Sequence, residues 1–217
     1  IAILRKIGRI SEALALIDDS LKIDPFNYGA MFEKHMLSND DEVLPTMFEL
    51  MHGDPNNFDE LALDYCGAGL WVEATELWQH AVTLKACTPM TRYYLAWAMR
   101  CCGLKVADKA LRKAATISPD FCFPNRLEAI IALESAMKHQ PEDAHAPYFL
   151  GNLFYDKRQY DLAIRYWELS DSLCGDFPTV KRNLALAYYN KLKDTDYICN
   201  NCSGFGFHSI DDYINAQ

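Results

Sequence analysis

The sequence predicts an all-α fold, a right-handed α-solenoid of antiparallel helix pairs. Helical periodicity runs through most of the 217 residues, and no stretch alternates apolar and polar residues between hairpin turns as a strand would. Gly or polar residues mark the predicted turns within pairs, and Pro marks the ends of pairs. Small residues recur two turns apart on second helices, as Ala13 and Ser20 do, so neighbouring helices can approach closely.

The predicted repeats cover residues 1–192 and differ in regularity. The clearest unit spans 144–177, where Gly151, Tyr160, Ala163, Trp167 and Ser170 have the spacing of one helix pair of 34 residues. Because such a unit cannot bury its apolar face alone, it predicts stacked neighbours. The predicted units are 1–27 (truncated), 28–57 (degenerate), 58–86, 88–120, 121–143 (partial), 144–177 and 178–192 (partial).

Two stretches depart from this pattern. Around 120–125 an extended segment containing Phe121 and Phe123 replaces the first helix of a pair, and the next helix is expected over about 125–139. We expect the regular superhelix to be broken or re-aimed there. Residues 193–217 form a divergent tail, for which two interpretations stay open: an atypical C-terminal cap of the stack, or a frayed end.

The amino-acid composition restricts the kinds of binding partner and indicates the cellular compartment. The net charge is −9 with pI near 5.1, so nucleic acid and anionic membrane surfaces are disfavoured as partners. No apolar run reaches the roughly 18 residues that a membrane span needs. The eight scattered cysteines fit thiols in a reducing compartment, which predicts a cytoplasmic protein. Since the chain begins with Ile1 in what reads as the second half of a helix, we expect it to be a fragment of a larger protein.

A family resemblance follows from these spacings. Gly151, Phe154, Tyr160, Ala163 and Trp167, with weaker echoes that end in Pro at 25, 119 and 141, resemble the tetratricopeptide repeat (TPR) family. Residues 123–129, and 148–157 followed by 177–190, also resemble the helical tail of large bacterial multidomain proteins whose N-terminal region is similar to sugar-processing domains. That second resemblance implies an association with such proteins and no activity of this segment.

The TPR resemblance implies protein-protein interaction through a groove lined by the first helix of each pair. Tyr and Arg often anchor interfaces, and Asn can both donate to and accept from a peptide backbone. The alternative is an ordinary solvated polar face. Phe32, Met36, Asp59 and Ala96 also map to groove positions. The predicted partner-binding residues are Arg92, Arg100, Tyr148, Asn152, Tyr155, Asp156, Arg182, Asn183, Tyr189 and Asn190.

No catalytic constellation is evident, so we expect a non-catalytic scaffold without cofactor or metal. The single C-x-x-C of Cys199 and Cys202, with His208 nearby, is short of the four ligands of a structural zinc site. The expected partner is a protein or peptide, or another domain of the same chain, and homo-oligomer formation is a further expectation. The alternative function is an accessory or oligomerisation region of a larger bacterial enzyme, such as a carbohydrate-active one.

Overall fold

The computed structural model describes residues 1–193 except Asn39 and Asp41, and its regular secondary structure is entirely helical. The chain divides into two compact units, Ile1–Ala110 and Leu111–Gln217. The helices of the described range are α1 (Ala2–Lys6), α2 (Ile10–Ile23), α3 (Tyr28–Leu37), α4 (Val43–Leu50), α5 (Pro55–Gly67), α6 (Trp71–Ala81), α7 (Pro89–Cys101), α8 (Ala107–Ala114), α9 (Glu128–His139), α10 (His145–Asp156), α11 (Tyr160–Leu173) and α12 (Pro178–Lys193).

Within each unit, helices pack against their neighbours in the chain. In the first unit α2 contacts α1 and α3, α3 contacts α4, and α6 contacts α5 and α7. Helix α5 also contacts α7, so the first helices of successive pairs lie side by side. In the second unit α9, α10, α11 and α12 pack in series. The predicted all-α solenoid class is therefore confirmed, whereas the repeat boundaries stay predictions.

Small residues two turns apart form the seams of the second helices. Each lies inside the stack, where a larger side chain would hold the neighbouring helix away. The fully or almost fully buried pairs are Ala74 and Ala81 on α6, Ala107 and Ala114 on α8, Ala129 and Ala136 on α9, and Ala163 and Ser170 on α11. On α2, Ala13 is fully buried, whereas Ser20 is partly exposed. The small-residue spacing read from the sequence thus corresponds to real packing seams.

The tryptophans divide between core and helix flank. Trp78 and Trp167 are buried, as expected for large apolar side chains between stacked helices. Trp71 and Trp97 are half-buried and pack edge to face, with ring centroids 5.0 Å apart. All four therefore contribute mainly to helix packing.

The predicted irregularity near 120–125 is present, because no helix occurs between Ala114 and Glu128. Phe121 has a left-handed backbone (φ 58) and an almost fully exposed ring, whereas Cys122 is buried. Helix α9 begins at Glu128, a few residues later than expected, since the residues after Pro124 form a bend and a turn first.

Helix α12 (Pro178–Lys193) covers the range of the predicted last, partial unit. Val180 and Ala187 are buried on it, whereas Leu184, Ala185 and Tyr188 are half-buried. Within the described residues α12 packs on α11 and no helix follows it. Its buried face is therefore the one directed at the preceding pair.

Candidate functional site

The contact between Gly151 of α10 and Trp167 of α11 fixes the geometry of the second unit. A Cβ atom at position 151 would lie 2.3 Å from both Cδ1 and Nε1 of the indole, so only glycine fits beneath this ring. The indole Nε1 donates to Oδ1 of Asn152 at 3.1 Å. The close approach that the glycine permits thus positions the ring, and the ring orients the amide of Asn152.

A row of polar side chains follows from this arrangement, and we call it the polar row. Asn183 Nδ2 donates to Asn152 Oδ1 at 3.1 Å, and Asn190 Nδ2 donates to the hydroxyl oxygen of Tyr155 at 3.2 Å. Arg182 donates to Asn183 Oδ1 at 3.3 Å. Arg182 and Asn190 are exposed, and the other three members are half-buried. The row consists of Asn152 and Tyr155 on α10 and Arg182, Asn183 and Asn190 on α12.

The two cross-helix hydrogen bonds show how α10 and α12 run. Both helices advance in the same direction from the first bond to the second, as successive first helices of a solenoid do. The bonds are three residues apart on α10 and seven apart on α12, which corresponds to about 4.5 Å and about 10.5 Å of helix rise. The long side chain of Tyr155 bridges this difference, since its hydroxyl oxygen reaches Asn190.

The other predicted residues of the second unit lie around the row. Tyr148 is 4% exposed and packs on Phe177 with ring centroids 4.9 Å apart. Burial raises the pKa of its phenol, against smaller opposing effects of Asn152 and Arg182. Asp156 is exposed at the end of α10 and pairs with Lys157, and Tyr189 is half-buried on α12. Tyr148 is therefore a support beneath the row and presents little surface to a ligand.

The predicted residues Arg92 and Arg100 belong to the first unit, and both bind their own chain. Arg92 donates to the carbonyl oxygen of Val82 at 3.1 Å, and Arg100 donates to Asp108 at 2.5 Å. Asp59, which also mapped to a groove position, is 7% exposed and accepts hydrogen bonds from Trp78 Nε1 and Thr91. These side chains therefore have structural contacts, and a binding role for the two arginines stays a prediction.

A buried ion cluster in the first unit was not anticipated from the sequence. Arg5 of α1 bonds to Glu33 of α3 at 2.6 Å and to Glu73 of α6 at 2.8 Å, and Lys6 also contacts Glu73. The Tyr65 hydroxyl donates to Glu33 at 2.7 Å. Burial by itself raises the pKa of Glu73, but hydrogen bonds from Lys6 and Arg5 outweigh it, so that pKa lies below its usual value. The cluster joins α1 to two distant helices.

A cavity of about 470 Å³ opens at the end of the row, where the turn between α10 and α11 meets the last turns of α12. Its lining combines the aromatic rings of Tyr155 and Tyr160 with the apolar Leu162. Arg158 and Lys191 add positive charge. The cavity shares Tyr155 with the polar row, so the two features are continuous.

Arg158 occupies a backbone conformation that favours glycine. Its φ is +59, and the corresponding turn residues after α5 and α7 are Gly69 and Gly103, with φ of +75 and +72. A non-glycine residue in the left-handed region costs about 1 kcal/mol. The backbone is therefore locally strained at Arg158, whose exposed side chain lines the cavity.

Two expectations concern metal binding and membranes. Among the residues that the structure describes, no three His, Cys, Asp or Glu side chains cluster so as to hold a metal ion. Cys199, Cys202 and His208 lie outside the described residues. None of the described helices has the length and apolar character that crossing a bilayer requires.

No family model matches the sequence. Among solved structures, the chain is similar to MamA (21% identity, TM-score 0.32, covering 88% of this chain and 84% of that chain). It is also similar to MamA 41-end from Desulfovibrio magneticus RS-1 (14%, TM-score 0.32, 84% and 85%). A third is YrrB, described as a TPR protein with an unusual peptide-binding site (16%, TM-score 0.27, 88% of each chain). Since these TM-scores are low, the class of helical-repeat protein rests on the helix packing described above.

Proposed function

We propose that the chain is a non-catalytic scaffold that binds an extended peptide through the polar row. The peptide belongs either to a partner protein or to another domain of the same parent chain. The observation that carries this proposal is the alignment of Asn152, Asn183 and Asn190 across two helices. Primary amides can donate to and accept from a peptide backbone, which gives affinity without a sequence requirement.

Charged and aromatic residues around the polar row determine which side chains of a peptide ligand bind there. Arg182 is exposed and offers a fork of donors to a carboxylate of the ligand. Tyr155 packs against Tyr160 and Trp167, with ring centroids 5.1 and 5.3 Å apart, so it is a rigid aromatic anchor. A peptide that carries an acidic residue next to an apolar one therefore fits this surface best.

The row contains no nucleophile next to a general base, which favours binding over catalysis. The accessory role in a larger bacterial enzyme, the association with sugar-processing proteins, a cytoplasmic location and homo-oligomer formation all stay predictions from the sequence. None of the described contacts bears on them.

Selection from a random-peptide library tests the proposal, with affinities then measured by fluorescence polarisation. We expect Asn183→Ala combined with Asn190→Ala to weaken the selected peptides on the order of tenfold, because two backbone-bonding amides are lost. Arg165→Ala is the matched control, since Arg165 is exposed on α11 and is not part of the row. Peptides that bind the double variant as tightly as the original chain would count against the proposal.

A further inference from the structure

Four large apolar side chains are exposed within a short stretch of the second unit, residues 121–131. Phe121 is 96% exposed and Phe123 is 72% exposed, on the segment that precedes α9. Leu127 and Ile131, which are 64% and 55% exposed, lie one helical turn apart at the start of α9. Exposed apolar side chains that cluster mark interaction sites, whereas scattered ones are ordinary. We call these four residues the outer patch.

The segment before α9 is anchored by side chains that alternate with the two exposed rings. Cys122 is 5% exposed and Pro124 is also buried, whereas Phe121 and Phe123 are directed to solvent. The buried residues fix the backbone between the rings. A partner that binds the rings therefore does not have to order this segment first, which lowers the entropic cost of binding.

The backbone at Phe121 has a conformation that favours glycine. The amide of Cys122 donates to the carbonyl oxygen of Pro119 at 3.4 Å, which closes a turn with Phe121 at its third position. The φ of +58 at this position is rare for an aromatic residue. Because the ring is almost fully exposed, it gains little from packing within the chain. A strained residue with an exposed ring is typical of a binding site.

Other second helices have different residues at the positions of Leu127 and Ile131. These two residues lie two positions before and two positions after Ala129, the first seam residue of α9. The seams of α2 and α6 have at most one large apolar residue at these offsets. At the same offsets from Ala107 on α8 and Ala163 on α11, all four residues are charged and exposed, so α9 alone among these five seams has a large apolar residue at both positions. The four charged residues are Lys105, Lys109, Asp161 and Arg165.

Acidic side chains flank the outer patch. Asp120 directly precedes the first ring and is exposed. On α9, Glu128 lies beside the apolar ridge and Glu134 continues its face one turn later, and both are exposed. Residues 120–135 contain these three carboxylates and one arginine. Such a surface attracts the Lys and Arg side chains of a partner and disfavours an anionic lipid surface.

We infer that the outer patch is a docking site for an amphipathic helix of another protein, whose apolar side chains are flanked by Lys or Arg. That helix packs on the ridge of Leu127 and Ile131 as neighbouring helices of the stack pack on each other. Its cations approach the carboxylates of Asp120, Glu128 and Glu134. The outer patch shares no residue with the polar row, so the inference does not depend on the proposed function.

A library of helical peptides tests the inference, with a stripe of Leu and Ile held constant and the flanking positions varied among Lys, Glu and Gln. We expect selection on the full chain to enrich Lys at the flanks. In fluorescence polarisation, Ile131→Gln is expected to weaken the selected peptides on the order of tenfold, because an exposed apolar side chain no longer becomes buried. Val72→Gln is the matched control, since Val72 is also β-branched, is 64% exposed and lies two positions before a seam alanine of α6.

Further variants separate docking from folding. Glu128→Lys combined with Glu134→Lys is expected to shift the selection from Lys to Glu, an effect that loss of the fold does not produce. Phe121→Gly is expected to weaken the peptides without lowering the midpoint of urea unfolding, because glycine suits the turn. Asn183→Ala combined with Asn190→Ala is expected to leave these peptides unaffected, which distinguishes the outer patch from the polar row.

Four outcomes would overturn the inference. One is a selection in which no peptide is enriched over a library with the apolar stripe scrambled. Another is equal affinity of the selected peptides for Ile131→Gln and for the unaltered chain. A dimer in sedimentation velocity that Ile131→Gln dissociates would make a second copy of the chain the occupant. Vesicles of phosphatidylcholine and phosphatidylglycerol that bind the chain but not Ile131→Gln would make a membrane surface the occupant.

Discussion

Replacing Gly151 with alanine is expected to destabilise the second unit by about 3 kcal/mol, near the upper end for overpacking a core. The added methyl group would lie 2.3 Å from two atoms of the buried Trp167 ring, and no rotation of the methyl relieves that contact. Either α10 and α11 separate or the indole leaves its site. Urea unfolding followed by circular dichroism measures the loss.

The control for this prediction is Gly67→Ala. Gly67 also lies in a helix, as the last residue of α5, but a Cβ atom there meets nothing within 4 Å, and its φ is not in the left-handed range. Alanine is the better helix former, so this variant is expected to be neutral or slightly more stable. Combining Gly151→Ala with Trp167→Leu should recover part of the loss, because the smaller side chain makes room. Equal stabilities of Gly151→Ala and Gly67→Ala would contradict the packing described here.

Replacing Glu33 with alanine is expected to cost about 3 kcal/mol of the stability of the first unit, the low end for breaking a buried ion pair. Glu33 is 3% exposed and accepts hydrogen bonds from Arg5 and from the Tyr65 hydroxyl. Its removal leaves a buried hydroxyl unpaired and Arg5 with Glu73 alone. Because α1 has only five residues, it can detach from the rest of the unit, and this limits the loss of stability. Thermal and urea unfolding measure the change.

An exposed ion pair in the same unit provides the control. Arg9 and Glu12 also form a contact between an arginine and a glutamate, but both side chains are 55% exposed. Since solvent screens such pairs, Glu12→Ala is expected to change the stability by less than about 0.5 kcal/mol. Similar effects of the two substitutions would mean that the cluster around Arg5 is solvated and does not hold α1 against α3 and α6.

The sequence predicted the helices well because their signals are local. The spacing of Ala163 and Ser170 depends only on the helical period, and the turn at Gly103 depends only on backbone conformation. The same holds for the break after Pro119, where no helical period continues. Each of these features can be read from a window of a few residues.

The site could be predicted only in part, because its contacts join residues that are far apart in the chain. Asn152 and Asn183 were recognised as members of one surface, but Trp167 was recognised only by its spacing within a helix pair, and its indole orients Asn152. Tyr148 was expected on the surface, whereas the ring of Phe177 covers it. No pattern within one helix reports such a neighbour.

The ion cluster of the first unit is the clearest example of this limit. Arg5 and Glu73 are separated by 68 positions, and each looks like an ordinary charged residue on its own helix. Only the packing of α1 near α3 and α6 makes them partners. The left-handed backbone of Arg158, by contrast, had a signal, since the other turns of this type carry glycine and this one does not.

The most direct test of the account is whether α10, α11 and α12 stack so that their polar side chains form one row. Nuclear Overhauser effects in the folded chain measure this, with the side-chain amides of Asn152 and Asn183 and the indole proton of Trp167 assigned by substitution. We expect cross-peaks from the Trp167 indole proton to Asn152, and from the Asn183 amide to Asn152. If all three groups are assigned and the peak between the asparagine side chains is missing, α12 is not packed beside α10 and the row does not exist.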